Sequence, residues 1–357
     1  MTRLNSEMIS LIDEHVNKGN ITKRKHPEFD LWVYNYGPMV QINGEWNPAT
    51  MMCRGLILDY DYNIVARPFP KFFSLEQWTS IRNKVHHITG LKFRDMFKGK
   101  FITTEKVDGS LGIMCPLPDG EFCIATRGSF ESAQAIKGTE ILRNNPRYEE
   151  LKNGHPEHTH LFEIIYPENR IVVNYGADEK LIYLASIDNR TGKDVKYVGI
   201  NRFFEKTIIY SFDSMEDLAK VERTNAEGYV LLFENGIRVK FKFEEYKRLH
   251  KIMTEVTPKR IWEILRNGDN IDDWLKGVPD EFYNEVMEDV NEFKVQYNAY
   301  EAMSKTIFNS MDKSGSRKTI AQDILDYDKP YPSILFAMLD GKDYADIIWK
   351  HIKPKAE

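Results

Sequence analysis

The chain has 357 residues, of which 42% are hydrophobic and 29% are charged. This composition supports folded cores and excludes a disordered chain, and the length favours two domains. No apolar run approaches the length of a membrane span, and the N-terminal residues lack the pattern of a signal peptide. The formal net charge of -5 is unlike that of most nucleic-acid binders, so any cations that bind phosphates must be concentrated in one region.

The N-terminal part of the chain begins with one helical pattern and then changes to strands. Apolar residues recur at helical spacing over residues 4–16, which predicts an amphipathic helix. From about residue 30, short runs rich in Val, Ile, Phe and Tyr alternate with turn residues, which predicts strands. The predicted strand regions are 56–69, 100–107, 110–117, 121–128 and 160–167. Asn235-Gly236 lies between two apolar runs and is the strongest hairpin signal in the chain.

The C-terminal part has a different pattern. Apolar residues repeat every three or four positions from Phe282 to Ile307, which predicts one long helix with Pro279 near its start. Shorter helical patterns follow to the end of the chain. These patterns predict two domains, residues 1–244 and an all-helical domain of residues 245–357.

The three cysteines indicate a reducing compartment. Cys53, Cys115 and Cys123 are odd in number and have no CxxC spacing. Both features argue against a disulfide scaffold and against a zinc site. A cytoplasmic protein is therefore expected.

The segment Lys106-Val107-Asp108-Gly109-Ser110 joins the end of one predicted strand to the start of the next. By itself it is weak evidence, because a lysine at a strand end is ordinarily a solvated surface residue. The functional alternative is a nucleophilic amine, with a pKa lowered by partial burial and by nearby cations. Gly109 would then allow the backbone to turn tightly beside a nucleotide.

The return strand of the predicted hairpin places three cations on one face. Side chains alternate across a strand, so Arg238, Lys240 and Lys242 lie opposite the apolar residues between them. Glu227-Gly228 leads into this hairpin. The pattern suits either a half-buried strand with a solvated polar face or a sheet that binds phosphates.

Four further residues are candidates for the same site. Glu163 lies within an apolar strand, so its carboxylate should meet a cation, a metal-bound water or a hydroxyl, with a structural ion pair as the alternative. Arg54 and Lys71 are candidate phosphate contacts. Phe73 is either a base-stacking residue or an ordinary core phenylalanine.

In this order and spacing, the elements resemble the nucleotidyltransferase superfamily of covalent lysyl-AMP and lysyl-GMP enzymes. Within it, the chain is most similar to the T-even phage RNA ligase 1 family. The resemblance runs through most of the chain, including the helical C-terminal part with Arg317-Lys318-Thr319. The motifs that carry it are CRG at Arg54, KFF at Lys71, KxDGS at Lys106, RGS at Arg127, FExxxPxNRIV at Phe162, EGYV at Glu227 and KxK at Lys240.

The resemblance implies a catalytic role for five residues. Lys106 would be the nucleophile on the α-phosphate of ATP, and Glu163 and Glu227 would organise a hydrated metal and the ribose. Lys240 and Lys242 would stabilise charge on the α-phosphate, and both would also contact the nucleotide.

Further residues would bind the nucleotide or a metal. Arg54, Lys71 and Phe73 would hold the outgoing phosphates and the nucleotide. The nucleotide-binding set also includes Glu105, Gly109 and Arg127. Arg127 stands where the family commonly has a lysine, so it keeps the charge but changes the geometry. Glu163 is one predicted metal ligand, and Asp272 and Asp273 would help to hold a second magnesium through water. A capped helix start or a solvated acidic turn explains the aspartate pair almost equally well.

The resemblance also implies a fold and an activity. The fold would be α+β, with an N-terminal nucleotidyltransferase domain of antiparallel sheets and flanking helices, and an all-α C-terminal domain that selects RNA. The enzyme would use ATP and Mg2+ or Mn2+ to join RNA 5′-phosphate and 3′-hydroxyl ends, including those of cleaved tRNA. It would be a monomer in the cytoplasm. If a phage encodes the protein, this is the cytoplasm of the host cell. The alternatives are a DNA ligase, a GTP-dependent capping-type enzyme and an inactive RNA-binding relative.

Overall fold

The structure is a computed structural model that describes residues 2–152, 157–195, 199–276, 278 and 280–354. Pro279, which the sequence places near the start of the long helix, lies outside the described residues. The chain divides into two compact units, Met1–Lys247 and Arg248–Glu357. The first unit combines sheets with helices and the second is helical, so the predicted α+β class is confirmed.

Strands occur only in the first unit, as far as the described residues extend. They are β1 (Thr2–Arg3), β2 (Ile21–Lys25), β3 (Leu31–Tyr36), β4 (Arg54–Asp59), β5 (Asn63–Ala66), β6 (Phe101–Lys106), β7 (Ser110–Pro116), β8 (Phe122–Ala125), β9 (His158–Ile165), β10 (Lys180–Asp188), β11 (Glu205–Lys206), β12 (Ile209–Tyr210), β13 (Gly228–Phe233) and β14 (Arg238–Lys242). The Asn235-Gly236 hairpin is confirmed, because β13 and β14 pair on either side of it.

Helices flank the sheets of the first unit and make up the second. They are α1 (Ser6–Asn17), α2 (Pro38–Asn43), α3 (Pro48–Met52), α4 (Leu75–Ser80), α5 (Val85–Thr89), α6 (Ala133–Arg143), α7 (Tyr148–Lys152), α8 (Met215–Ala219), α9 (Glu244–Glu255), α10 (Pro258–Asn267), α11 (Ile271–Trp274), α12 (Asp280–Ser310), α13 (Arg317–Leu325), α14 (Tyr331–Leu339) and α15 (Ala345–His351). The predicted N-terminal helix and long C-terminal helix correspond to α1 and α12. None of the helices in the described ranges is both long and apolar enough to cross a membrane.

The strands form three sheets. Their orders are β1-β5-β4-β3-β2, β11-β10-β9-β7-β8 and β12-β6-β13-β14. The strand pairs are antiparallel, as expected, except for β10 and β11, which run parallel. Buried residues of the first sheet, such as Val33 and Ile57, share one core with Ile113 and Ala125 of the second sheet. This shared core fixes the spacing between the two sheets.

The segment 106–110 passes from one sheet to another. Lys106 ends β6 in the third sheet, and Ser110 begins β7 in the second sheet. The residues between them are therefore held at both ends by strand pairing. This position places the Lys106 side chain where the two sheets meet.

Candidate active site

A cavity of about 730 Å³ lies against the segment 106–110. Its wall includes residues from all three sheets, so no single stretch of the sequence forms it. The predicted site residues that line it are Arg54, Glu105, Lys106, Gly109, Arg127 and Glu163. A cavity of this volume is within the range that binds small organic molecules.

Glu227 links two of the predicted lysines. It is only 3% exposed, and its Oε2 lies 2.7 Å from Lys106 Nζ while its Oε1 lies 2.8 Å from Lys242 Nζ. The strand register explains this arrangement, because Gly228 pairs with Lys106 on one side and with Lys242 on the other. The Lys106 side chain is 23% exposed, so its amine does not point into bulk solvent.

The expected lowering of the Lys106 pKa is wrong. Burial lowers the pKa of Lys106, but the charges of Glu227, Glu163 and Asp108 outweigh burial and raise it. The nearest charges are carboxylates, whereas the sequence suggested cations. Lys106 is therefore an ammonium ion at neutral pH and must lose a proton before it can act as a nucleophile.

Lys240 and Lys71 have the lowered pKa values that the sequence assigned to Lys106. Burial, followed by repulsion from Lys71, Lys242 and Lys106, lowers the pKa of Lys240 to about 7. Burial, Arg54 and a second arginine lower the pKa of Lys71 to about 8. These amines repel one another, and an anion that enters between them would relieve the repulsion.

The structural ion pair that the sequence offered as the alternative for Glu163 is absent among the described residues, and a metal-bound water stays a predicted partner. The Glu163 carboxyl makes no hydrogen bond and no ion pair with any of the described residues. Burial is the main cause that raises its pKa to about 8, and Lys106, although opposing it, does not cancel this effect. The carboxyl therefore keeps its proton to a higher pH than an ordinary glutamate does, and it lines the cavity.

Arg54 and Arg127 are brought together by a close backbone contact. Gly55 has a φ of +96°, and a Cβ there would lie 2.4 Å from Ile113 Cδ1 and 3.1 Å from Arg127 Cα. Only glycine fits such a position without strain. The Nη1 atom of Arg54 is buried without a hydrogen-bond partner, and burial and Arg127 lower the pKa of Arg54 to about 10. A buried unpaired guanidinium nitrogen favours an anionic ligand.

Phe73 is a core residue, which is the alternative that the sequence left open. It is 3% exposed and packs edge-on against Trp46 and Trp78. It also forms part of an aromatic cage around Lys71, whose Nζ lies 5.4 Å from the ring centre. The Lys71 amine also donates a hydrogen bond to the Tyr36 hydroxyl at 3.1 Å. The ring therefore orients the lysine, and no face of it is open to a base.

Asp108 is the functional residue that the sequence analysis missed. It is 3% exposed, and its Oδ2 accepts hydrogen bonds from the backbone amides of Val172 and Val173, both at 2.9 Å. Its Oδ1 accepts a hydrogen bond from the Tyr246 hydroxyl at 2.6 Å, and its backbone amide donates a hydrogen bond to the Tyr175 hydroxyl at 2.9 Å. These bonds hold the segment after Lys106 in place. The aspartate of the KxDG motif was the feature of the sequence from which this residue could have been identified.

The reason for a glycine at position 109 differs from the predicted one. Its φ is not in the positive region, so no tight turn requires glycine there. A Cβ would instead lie 2.7 Å from the Ile164 carbonyl oxygen and 3.1 Å from Glu163 Cγ. Glycine is needed because the segment passes close to β9, which places Lys106 next to Glu163.

The other predicted residues have ordinary local contacts. Glu105 forms an ion pair with Arg223 at 3.4 Å. Asp272 and Asp273 lie in the first turn of α11, which Asn270 caps, and this is the capped helix start that the sequence left open. Among the described residues, no group of three or more His, Cys, Asp or Glu side chains is arranged to hold a metal ion. The metal-binding role of the two aspartates stays a prediction.

Comparison with known proteins identifies the family. The model of a family described as RNA ligase, of the T4 ligase 1 type, matches residues 52–247, which is more than half of the chain. The chain belongs to this RNA ligase family. The resemblance stated from the sequence motifs is confirmed, and the match contains the cavity residues from Arg54 to Arg238.

Individual relatives of this RNA ligase family member are distant. The chain is 29% identical to a candidate bifunctional polynucleotide kinase/RNA ligase of Autographa californica nuclear polyhedrosis virus, over 74% of this chain and 40% of that protein. It is 22% identical to an RNA ligase of Rhodothermus phage RM378, over 88% of this chain and 86% of that protein. The chain thus spans less than half of the length of the viral relative. An archaeal ATP-dependent RNA ligase structure is 12% identical with a TM-score of 0.46, over 94% and 96% of the two chains.

Proposed function

We propose that this family member is an ATP-dependent RNA ligase that carries AMP on Lys106. One observation supports the proposal most directly. The Lys106 amine lies at the cavity wall, and Glu227 joins it to Lys242 at 2.7 and 2.8 Å. A nucleophile and a phosphate-binding cation are thereby held in a fixed relation before any substrate enters.

In the first step, the Lys106 amine attacks the α-phosphorus of ATP. The new nitrogen–phosphorus bond forms as the bond from the α-phosphorus to the β-phosphate oxygen breaks, and pyrophosphate leaves. The ammonium must first lose a proton, and Glu227 Oε2 is the nearest acceptor at 2.7 Å. Entry of ATP, which brings negative charge, draws Lys242 and Lys240 toward the phosphates.

In the following steps, AMP moves to RNA. An oxygen of the RNA 5′-phosphate attacks the lysyl-AMP phosphorus and breaks the nitrogen–phosphorus bond. The RNA 3′-hydroxyl then attacks the activated 5′-phosphate, forms the phosphodiester and releases AMP. Negative charge builds up at phosphorus in each displacement, so Lys240, Lys242 and Arg54 would lower each barrier electrostatically.

The carboxyl of Glu163 fits a divalent metal such as Mg2+ or Mn2+. It has no partner among the described residues, and oxygen ligands are the ones that Mg2+ prefers. A bound metal would neutralise phosphate charge and favour the ionised form of Glu163. Glu227 forms ion pairs with both Lys106 and Lys242, which positions these three groups relative to one another.

The proposed activity is tested by comparing nucleotides and nucleic acids side by side. We expect labelled ATP, but not labelled GTP, to form a covalent adduct that survives a denaturing gel. We expect the adduct to be consumed by single-stranded 5′-phosphorylated RNA or cleaved tRNA in preference to nicked duplex DNA. An adduct with GTP alone would identify a capping-type enzyme, and faster joining of nicked DNA would identify a DNA ligase.

Binding of ATP without metal should take up protons at about pH 8. Lys240 and Lys71, with pKa values of about 7 and about 8, are partly neutral there, and the triphosphate raises both pKa values. Calorimetry in two buffers of different ionisation enthalpy measures this uptake. The uptake should shrink as the pH is lowered to about 6, where both amines are already charged. ATP binding to Lys240→Met should be coupled to the uptake of fewer protons. Binding heats that do not depend on the buffer at pH ~8 would contradict the proposal that Lys240 and Lys71 gain protons when ATP binds.

The remaining expectations stay predictions. They include metal binding by Asp272 and Asp273 and selection of RNA by the helical unit. The same holds for repair of tRNA, the cytoplasmic location and the monomeric state.

A further inference from the structure

One wall of the cavity carries polar side chains that have no role in the adenylyl transfer described above. It is formed by Thr22 and Arg24 of the edge strand β2 and by Asn35 of its neighbour β3. We call these three residues the edge-strand wall. Lys106 lines the same cavity, so a molecule that contacts both is bound in one continuous space.

Strand pairing determines which way Arg24 points. Arg24 pairs with Val33, whose side chain lies in the core between the two sheets, so Arg24 is on the inner face. Lys23 and Lys25 are on the other face, where their amines lie 4.9 and 5.6 Å from the ring centre of Trp32. Of the three consecutive cations, only Arg24 lines the cavity.

Arg24 is free to bind an anion. Its side chain is exposed and makes no hydrogen bond or ion pair with any residue that the structure describes. Lys25, in contrast, already pairs with Asp30 at 2.7 Å. A guanidinium stays charged at physiological pH and matches the geometry of two phosphate oxygens.

Asn35 provides a second, independent indication of a ligand. Its Oδ1 atom is buried and has no hydrogen-bond partner in the described part of the chain. A buried polar atom without a partner costs free energy, which a ligand can recover by supplying the partner. The amide can offer an acceptor to a ribose hydroxyl or, if rotated, a donor to a phosphate oxygen.

We propose that Arg24, with Asn35 beside it, binds a backbone phosphate of the RNA substrate. The inference rests on the proposed ligase function. Lys71 is buried and Lys240 is half-buried, which suits the compact phosphates of ATP. Arg24 is exposed on an edge strand, and a polymer, unlike a nucleotide, has to extend out of the cavity. The polymer's phosphates follow one another along the chain, so one of them can reach Arg24 while an end lies at Lys106.

The first test measures RNA binding without chemistry. Fluorescence anisotropy with 5′-phosphorylated single-stranded RNA compares Arg24→Ala, Arg24→Lys and the matched control Lys25→Ala. We expect Arg24→Ala to weaken binding by about tenfold and to reduce the slope of log Kd against log salt by about 0.7 to 1. Arg24→Lys should bind RNA with intermediate affinity, because lysine keeps the charge but lacks the planar guanidinium that can donate two parallel hydrogen bonds. Lys25→Ala should change binding by less than about twofold, since its amine is on the other face and already paired.

The second test separates the two substrates. For each variant, the rate of lysyl-AMP formation from ATP alone is compared with the rate at which purified lysyl-AMP enzyme transfers AMP to RNA. We expect Arg24→Ala to raise the RNA concentration needed for half-maximal transfer, with a much smaller effect on the reaction with ATP. Circular dichroism checks that the variants are folded.

Three results would overturn the proposal. A raised ATP requirement for lysyl-AMP formation in Arg24→Ala would assign Arg24 to the ATP phosphates. An equal loss of RNA binding in Lys25→Ala would indicate a general effect of surface charge. Unchanged RNA binding in Arg24→Ala would show that no contact exists. If the wild-type protein forms no lysyl-AMP, the proposed ligase function fails, and the binding titration still decides the role of Arg24.

Discussion

Lys106→Ala should form no lysyl-AMP and should join no RNA with ATP. The change removes the nitrogen that would form the covalent bond, and no other amine takes its place. The Lys242 amine is engaged by Glu227 at 2.8 Å. We expect loss of adduct by a factor of at least about 10⁴, which is at the limit of detection with labelled ATP and a denaturing gel.

Two controls accompany this experiment. Lys100→Ala changes an exposed lysine near the start of the same strand and should keep full adduct yield. Lys106→Arg keeps the charge near Glu227 but offers a guanidinium, which is a poor nucleophile, and should also form no adduct. A labelled band that persists in Lys106→Ala at wild-type intensity would show that another residue carries the nucleotide.

Asp108→Ala should both destabilise the first unit and abolish adduct formation. The change leaves two backbone amides and the Tyr246 hydroxyl, all buried, without their acceptor. Each lost bond to a charged group costs roughly 1.5–3 kcal/mol, and some of this is recovered by relaxation, so we expect a loss of about 3 kcal/mol in the free energy of unfolding. The Lys106 amine would also lose its fixed position, because the segment that follows it is no longer held.

Thermal unfolding followed by circular dichroism measures the first effect. A loss of this size should lower the Tm by roughly 6–12 °C for a unit of this length. Asp61→Ala, at an exposed turn of the same unit, is the matched control and should shift the Tm by less than about 2 °C. An Asp108→Ala protein with wild-type Tm and adduct yield would mean that these hydrogen bonds are dispensable.

Local pattern was sufficient for many features of the molecule. The spacing of apolar residues predicted α1 and α12, because a helical face repeats every three or four positions whatever it packs against. Asn235-Gly236 predicted the β13–β14 hairpin, because the backbone torsions of a tight turn are a local requirement. The order of the motifs identified the family, and the cavity brings Arg54, Lys106 and Glu163 together.

The local sequence pattern could not predict the protonation or the contacts of the individual site residues. The pKa of Lys106 depends on Glu227, which is 121 positions away in the chain, and on Glu163 in another sheet. Likewise, Phe73 could be recognised as a core residue only when its contacts with two tryptophans were visible. The sequence showed Asp108 only as part of the KxDG motif, and its role became visible from its hydrogen bonds with Val172 and Tyr246.

The sequence by itself determined the elements, their order and the family, because torsional preference and apolar periodicity act between neighbours in the chain. The tertiary structure decided which amine is charged, which carboxyl is unpaired and which arginine is free. These properties depend on distance through space and on burial, and strand pairing sets both between residues that are far apart in the sequence.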